Sequence, residues 1–298
     1  MSATYKPALL KALSRIAKRS DNLSIPLEDI GEEFAKMYWN QVVVYHLRQA
    51  SSVSKESEVI RLISQTSRDY GMRNFSDLPE TGKNRIRARM ARVLTINVLA
   101  AFHASKPADM PQLFIWKRGE AGITLSPESH GFLRANCGVL ELIANYHWAS
   151  FLEACNRLAP KVIQKVARDG ARRSSLAPYL RILTEDTARG CFYCGKHFEG
   201  GGDSVVDHVI PWSFLLEDPI WDLVLSCAIC NSAKSDWLPE SVFIERLVRR
   251  NQEVLREKLQ NKASMLFGAE DIERLYQAAI SLEWPRFWSP ALRLGRLP

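Results

Sequence analysis

The chain has 298 residues, 46% hydrophobic and 24% charged, with a formal net charge of +7. That length holds one large domain or two ordinary ones with a sizeable core, and the basic excess fits a polyanionic partner without requiring one. No stretch reaches the roughly 20 apolar residues of a membrane span, and the basic start MSATYKPALLKALSRIAKRS lacks the apolar core and cleavage site of a secretory signal, so a cytoplasmic location is expected.

Residues 1–178 read as a helical body. Ser24-Ile25-Pro26 with Glu28 marks a helix start, and LEDIGEEFAKMYWNQVVVYHLRQA continues it with apolar residues at helical spacing. Further helices are expected over 54–70 and 83–103. In the latter, Lys83, Arg85, Arg87, Arg89 and Arg92 crowd one end. At 100° per residue, Arg85, Arg89 and Arg92 share a face, while Ile86, Met90, Val93 and Asn97 lie on another. Five cations in ten residues repel unless they meet anions, so Lys83, Arg85, Arg89 and Arg92 form a candidate nucleic-acid face. QLFIWKRGEAGITL, 112–125, reads as a hairpin turning at Gly119 or Gly122. Two helical stretches follow in SPESHGFLRANCGVLELIANYHWASFLEACNRL. There Cys137 and Cys155 fit apolar faces as structural thiols, and Tyr146, Trp148 and Phe151 read as core. His46, His103, His130 and His147 read as structural histidines.

Residues 160–185 are a connector broken by Gly170 and Pro178. It carries Lys161, Lys165, Arg168, Arg172 and Arg173, with Arg172 and Arg173 the second candidate for nucleic-acid contact. A second unit is expected over 179–298. After the cysteine-rich segment, Pro239-Glu240 opens a helix to about 263, another covers 269–282, and the tail WPRFWSPALRLGRLP is aromatic and basic.

Between these lies CFYCGKHFEGGGDSVVDHVIPWSFLLEDPIWDLVLSCAICNSAKSD, 191–236. Cys191, Cys194, Cys227 and Cys230 form two C-x-x-C pairs. In a cytosolic chain such pairs favour metal over disulfides, and four sulfurs complete a tetrahedral Zn²⁺ site, leaving His197 unneeded. The pairs lie about 32 residues apart, longer than the roughly 15–20 of a compact zinc ribbon, so the metal pins the ends of an inserted element. Val205-Val206 lead as a strand into Asp207-His208, and Ile210-Pro211 end it. Asp222 opens a second strand to Cys227, and Cys230-Asn231-Ser-Ala-Lys234 lies on a short helix. Phosphodiester hydrolysis needs a base for water and a cation for the crowded negative charge. An imidazole suits the first; a carboxylate with an amide oxygen suits Mg²⁺ or Mn²⁺. Lys234, one turn beyond Asn231, is placed to reach a phosphate.

This segment resembles the HNH (ββα-metal) endonucleases of the four-cysteine zinc subgroup. DHVIPWSFLLEDPIWDLVL and NSAKSD also resemble the HNH domain of RNA-guided CRISPR nucleases, which lacks the cysteines. The resemblance implies His208 as general base, Asp207 and Asn231 as ligands of the catalytic metal, and the four cysteines as structural zinc ligands. The family's middle Asn is Asp222 here; aspartate in its place accepts hydrogen bonds but donates none, and either braces the loop through a different donor or adds charge near the cation, with reduced or retuned activity expected. The fold expected is mainly α: a helical N-terminal body, a small zinc-stabilised ββα-metal unit and C-terminal helices. The function expected is a nicking endonuclease on DNA in preference to RNA, with other proteins of an anti-phage or restriction-like defence system as partners. The alternative is a catalytically weak or inactive zinc-dependent nucleic-acid-binding or scaffold protein.

Overall fold

The computed structural model describes residues 4–50, 56–104, 112–169, 174–186, 190–198, 203–255 and 268–290. The architecture is mainly helical, and its three small sheets have two strands each among the described residues. The chain divides into two compact units, Met1–Arg157 with Val162–Ala171, and Leu158–Lys161 with Arg172–Pro298.

The first unit contains α1 (Tyr5–Arg19), β1 (Ser24–Pro26), α2 (Leu27–Trp39), α3 (Glu58–Tyr70), α4 (Glu80–Val93), α5 (Ala100–Ala104), β2 (Gly122–Thr124), α6 (Pro127–Ala135), α7 (Cys137–Cys155) and α8 (Val162–Ala167). The helix expected from Ser24 starts at Leu27, because Ser24–Pro26 is spent on pairing with β2 in antiparallel register, Ile25 opposite Ile123. A wider turn over Asn40–Val44 then ends α2, short of the long run that its periodicity implied. The hairpin over 112–125 is present as the Ile115–Thr124 bridge around Gly119, whose φ is +98°. Its second arm is shared with β1, a partner about a hundred residues earlier that no local pattern names.

Helix α2 packs on α4, and α1 packs on both α2 and α7. Gly31 permits the first of these contacts: a Cβ there would lie 3.1 Å from the Arg87 carbonyl and 3.2 Å from the Met90 Cβ. Ile86, Met90 and Val93 are buried as the α4 pattern requires. Trp148 is buried, but Tyr146 is 61% exposed. Two helical residues apart is a rotation of about 200°, so the pair cannot share the core. Cys137 is buried, and burial raises its thiol and that of Cys155 above the ordinary range, as structural sulfurs require. His130 Nε2 bonds the Ser20 carbonyl at 2.8 Å, a structural role. Lys165 is wholly buried, so this part of the basic connector does not face a phosphate.

The second unit contains α9 (Ala177–Asp186), β3 (Ser204–His208), α10 (Trp212–Leu215), β4 (Leu223–Cys227), α11 (Ala228–Lys234), β5 (Leu238–Pro239), α12 (Ser241–Arg250), α13 (Ala269–Ser281) and β6 (Arg286–Trp288). The α12 helix widens into Asn251–Leu255; its expected end near 263 lies outside the described residues. Strands β3 and β4 pair antiparallel, with Asp207 opposite Val224 and His208 opposite Leu223. Helices α9 and α11 pack on both strands. The aromatic tail joins this core: β6 pairs parallel with β5, and Trp284 donates to the Asp236 carbonyl at 2.8 Å. Trp288 stacks edge-on to Tyr193 at 5.1 Å. Apolar burial of such rings contributes on the order of 2 kcal/mol each, so the C-terminal segment is part of this unit's stability.

Candidate active site

The four cysteines come together. Their sulfurs all lie within 4.8 Å of one another, and Cys194 Sγ is 3.9 Å from Cys227 Sγ. A tetrahedron with Zn–S bonds near 2.3 Å has edges of about 3.8 Å, so the donor set fits zinc. Two tight turns build it. In the first, Gly195 at φ +74° closes onto Cys191, its N–H reaching the Cys191 carbonyl at 2.9 Å. In the second, the Cys230 N–H donates to Cys227 Sγ at 3.4 Å at the start of α11. Burial pushes the Cys230 and Cys194 thiols up. Burial opposes ionisation of Cys227 too, but the Cys230 N–H and neighbouring thiols outweigh it and draw Cys227 down to about 7. Four sulfurs competing for protons at this spacing are relieved by a soft divalent cation. His197 is exposed and outside the cluster.

Strand β3 ends at the two residues of interest, and each finds a different environment. Asp207 is buried; its Oδ2 accepts from the Tyr193 hydroxyl at 2.7 Å and lies 3.4 Å from Lys234 Nζ. Tyr193 sits inside the first zinc turn and is itself held well above its ordinary pKa, by burial first and by the Asp207 charge second. His208 is 3% exposed, and its Nε2 lies 3.0 Å from Asp218 Oδ1. Among the described residues no hydrogen bond engages His208 Nδ1. Asp218 carries no family signature and was not singled out from the sequence.

Lys234 corrects an expectation. It is 0% exposed and donates to the His208 carbonyl at 2.5 Å, so it turns into the unit rather than toward a phosphate. The end of α11 points its last side chain under β3, where the buried Asp207 carboxylate needs a counter-charge.

Asp222 is also 0% exposed. Its Oδ1 accepts from the Ile210 N–H at 2.8 Å, and its backbone carbonyl accepts from Val209 N at 3.0 Å, so it braces the turn after β3. Oδ2 has no partner among the described residues. Burial raises this carboxyl well above its usual range, against the Ile210 N–H, Lys234 and Arg250. That direction disfavours the charged form, while the one contact made by the side chain, at Oδ1, needs only an acceptor. Arg250 closes this corner from α12, donating to the carbonyls of Leu223 at 2.8 Å and Trp221 at 3.0 Å.

Asn231 lies half-buried on α11, which packs on β3. Asp207 and Asn231 offer the hard oxygen donors that a magnesium-class cation takes. Asp207 Oδ1 makes no hydrogen bond among the described residues, so one oxygen is left for such an ion while Lys234 competes for the other.

In the first unit, Arg85, Arg89 and Arg92 are exposed, Lys83 half-exposed. Arg85 lies 3.5 Å from Asp69, and Arg87 is tied to Glu32 at 2.5 Å and Glu80 at 3.2 Å. Arg172 and Arg173 lie outside the described residues, as does the side chain of His103. Among the described residues no helix is long and apolar enough to cross a membrane.

Comparison with curated proteins and with solved structures finds no match. Residues 191–236, holding the four-cysteine cluster and the β3–β4–α11 unit, match the family model of HNH endonuclease, and the chain carries a metal-binding nuclease segment of that family.

Proposed function

We propose that the protein is a metal-dependent endonuclease that hydrolyses DNA phosphodiesters one strand at a time. The observation that carries this reading is a single unit, β3–β4–α11, that presents Asp207, His208 and Asn231, is stapled by four cysteines and matches HNH endonuclease. His208 accepts a proton from water at Nδ1. The water oxygen bonds to phosphorus as the bond to the 3′ oxygen breaks, leaving a 5′-phosphate and a 3′-alkoxide that takes a proton from solvent water to become the 3′-hydroxyl. Asp207 and Asn231 are the residues that would hold Mg²⁺ or Mn²⁺, which when bound supplies positive charge to the phosphate and the leaving oxygen. Tyr193 and Lys234 hold Asp207 in place. Asp222 holds the turn after His208.

The first unit supplies a surface for the polyanion. Arg61 and Arg68 of α3 and Arg89 of α4 line one groove of about 430 Å³, which Glu56 and Glu58 also line, so the cations outnumber the carboxylates by one. These three make no ion pair among the described residues, in contrast to Arg87. One active centre per chain supports nicking. The near-complete burial of His208 favours a regulated enzyme that opens on its substrate or a partner, consistent with a defence effector. The same burial also favours the second reading, a zinc-stapled nucleic-acid-binding protein without hydrolysis. Supercoiled plasmid with Mg²⁺ or Mn²⁺ separates them: conversion to open circle, abolished in His208→Ala, supports the nuclease. Cleavage that survives His208→Ala overturns the site.

A further inference from the structure

We propose that Asp218 is a positioning residue for His208, holding the imidazole in the tautomer that leaves Nδ1 free to take a proton. This rests on the reading of His208 as the base. The pair is geometric: Asp218 Oδ1 lies 3.0 Å from His208 Nε2. A carboxylate only accepts, so Nε2 carries the hydrogen and the lone pair falls on Nδ1. The same contact fixes the ring plane and faces the positive charge that appears when the ring is protonated, the logic by which an acid orients a catalytic histidine.

The loop that carries Asp218 is built to keep it there. Leu216 turns it in the left-handed region at φ +55°, and its N–H bonds the Trp212 carbonyl at 2.6 Å. Leu216 and Ile220, two residues before and after Asp218 in the chain, are buried. Glu217 pairs with Lys161, and Asp222 N–H returns to the Pro219 carbonyl at 2.9 Å. The Asp218 side chain itself stays 18% exposed against 4% for His208. A loop serving only as cover would place an apolar side chain over the ring. This one is anchored by its neighbours so that a charged group meets one ring nitrogen.

The test uses the zinc-loaded chain of 298 residues. Ring ¹⁵N NMR at a pH where His208 is neutral reports the tautomer, and plasmid nicking with Mg²⁺ reports kcat and KM. The wild type is expected to show Nε2–H at His208. Asp218→Ala should shift toward Nδ1–H and lower kcat about 10- to 100-fold, with KM changed less than about twofold. Asp218→Asn, which keeps an acceptor but no charge, should retain the tautomer and recover part of kcat, and it serves where the Ala variant fails to fold. An unchanged tautomer with unchanged kcat in Asp218→Ala overturns the proposal, as does a loss confined to KM or to thermal stability. A wild type that nicks nothing refutes the hydrolytic reading instead, while the tautomer still decides whether Asp218 sets His208.

Discussion

Tyr193 donates its hydroxyl to Asp207 at 2.7 Å. A side chain from inside the first C-x-x-C turn thereby holds the carboxylate at the end of β3, so the four-cysteine cluster and the proposed catalytic carboxylate share one connection. Removing that hydroxyl leaves a buried carboxylate short of a donor, which costs about 1.5–3 kcal/mol for a charged partner. Tyr193→Phe keeps the ring packing on Phe243 and Trp288. It should lower the melting temperature and weaken the Mg²⁺ dependence of nicking, while zinc content stays at the wild-type level. Equal melting temperatures for the two proteins would show that the contact carries no weight.

The four-cysteine site, with zinc bound, is expected to stabilise its own unit. Cys191→Ser, or a strong chelator, should release zinc and unfold the second unit but leave the first intact, because the helical body has its own core around Trp39, Trp148 and Phe34. Hydrogen exchange by segment checks this: amides of β3, β4 and α11 should lose protection and those of α1, α2 and α7 keep it. Simultaneous loss in both units is the contrary outcome.

Asp222 makes stability fall as pH rises. Its folded pKa is raised, by burial above all. A raised carboxyl contributes stability that is fully present below the unfolded value, near 3.8, and is lost as pH climbs toward the folded value. Asp222→Asn keeps the acceptor for Ile210 N and removes that titration. Its melting temperature should therefore gain on the wild type as pH rises above about 4, until the folded carboxyl ionises. A difference that is flat with pH would show that Asp222 is ionised in the folded chain.

The arginine groove should govern affinity rather than chemistry. Replacing Arg61, Arg68 and Arg89 together with Ala is expected to weaken DNA binding. It should also shrink the salt dependence of log K by about 0.9 for each phosphate that the variant no longer neutralises. Arg87→Ala is the contrast: its ion pairs with Glu32 and Glu80 are internal, so it should cost stability and leave the salt slope alone. Fluorescence anisotropy on a labelled duplex at several salt concentrations distinguishes the two.

Much of the candidate site was legible in the order of residues because its signals are short-range. Two C-x-x-C turns converge by local geometry, and an Asp-His pair before Ile-Pro marks a strand end wherever it sits. Helix periods read the buried face of α4 correctly from Ile86, Met90 and Val93. The same short-range reading failed at Tyr146, where grouping aromatic residues by proximity ignored the helical rotation between 146 and 148.

What the sequence determined by itself was the set of chemical groups: four sulfurs, a carboxylate, an imidazole and an amide at spacings that local turns bring together. Tertiary structure alone decided how those groups are solvated. It buried Lys234 under β3, covered His208 with Asp218 from the loop after α10, and left Asp222 in surroundings that favour its neutral form. It also paired β1 with β2 across some hundred residues. The reason is physical: turn geometry and helical period act over a few residues and are written locally. Charge state and exposure depend on every group that packs nearby, and those arrive from distant parts of the chain.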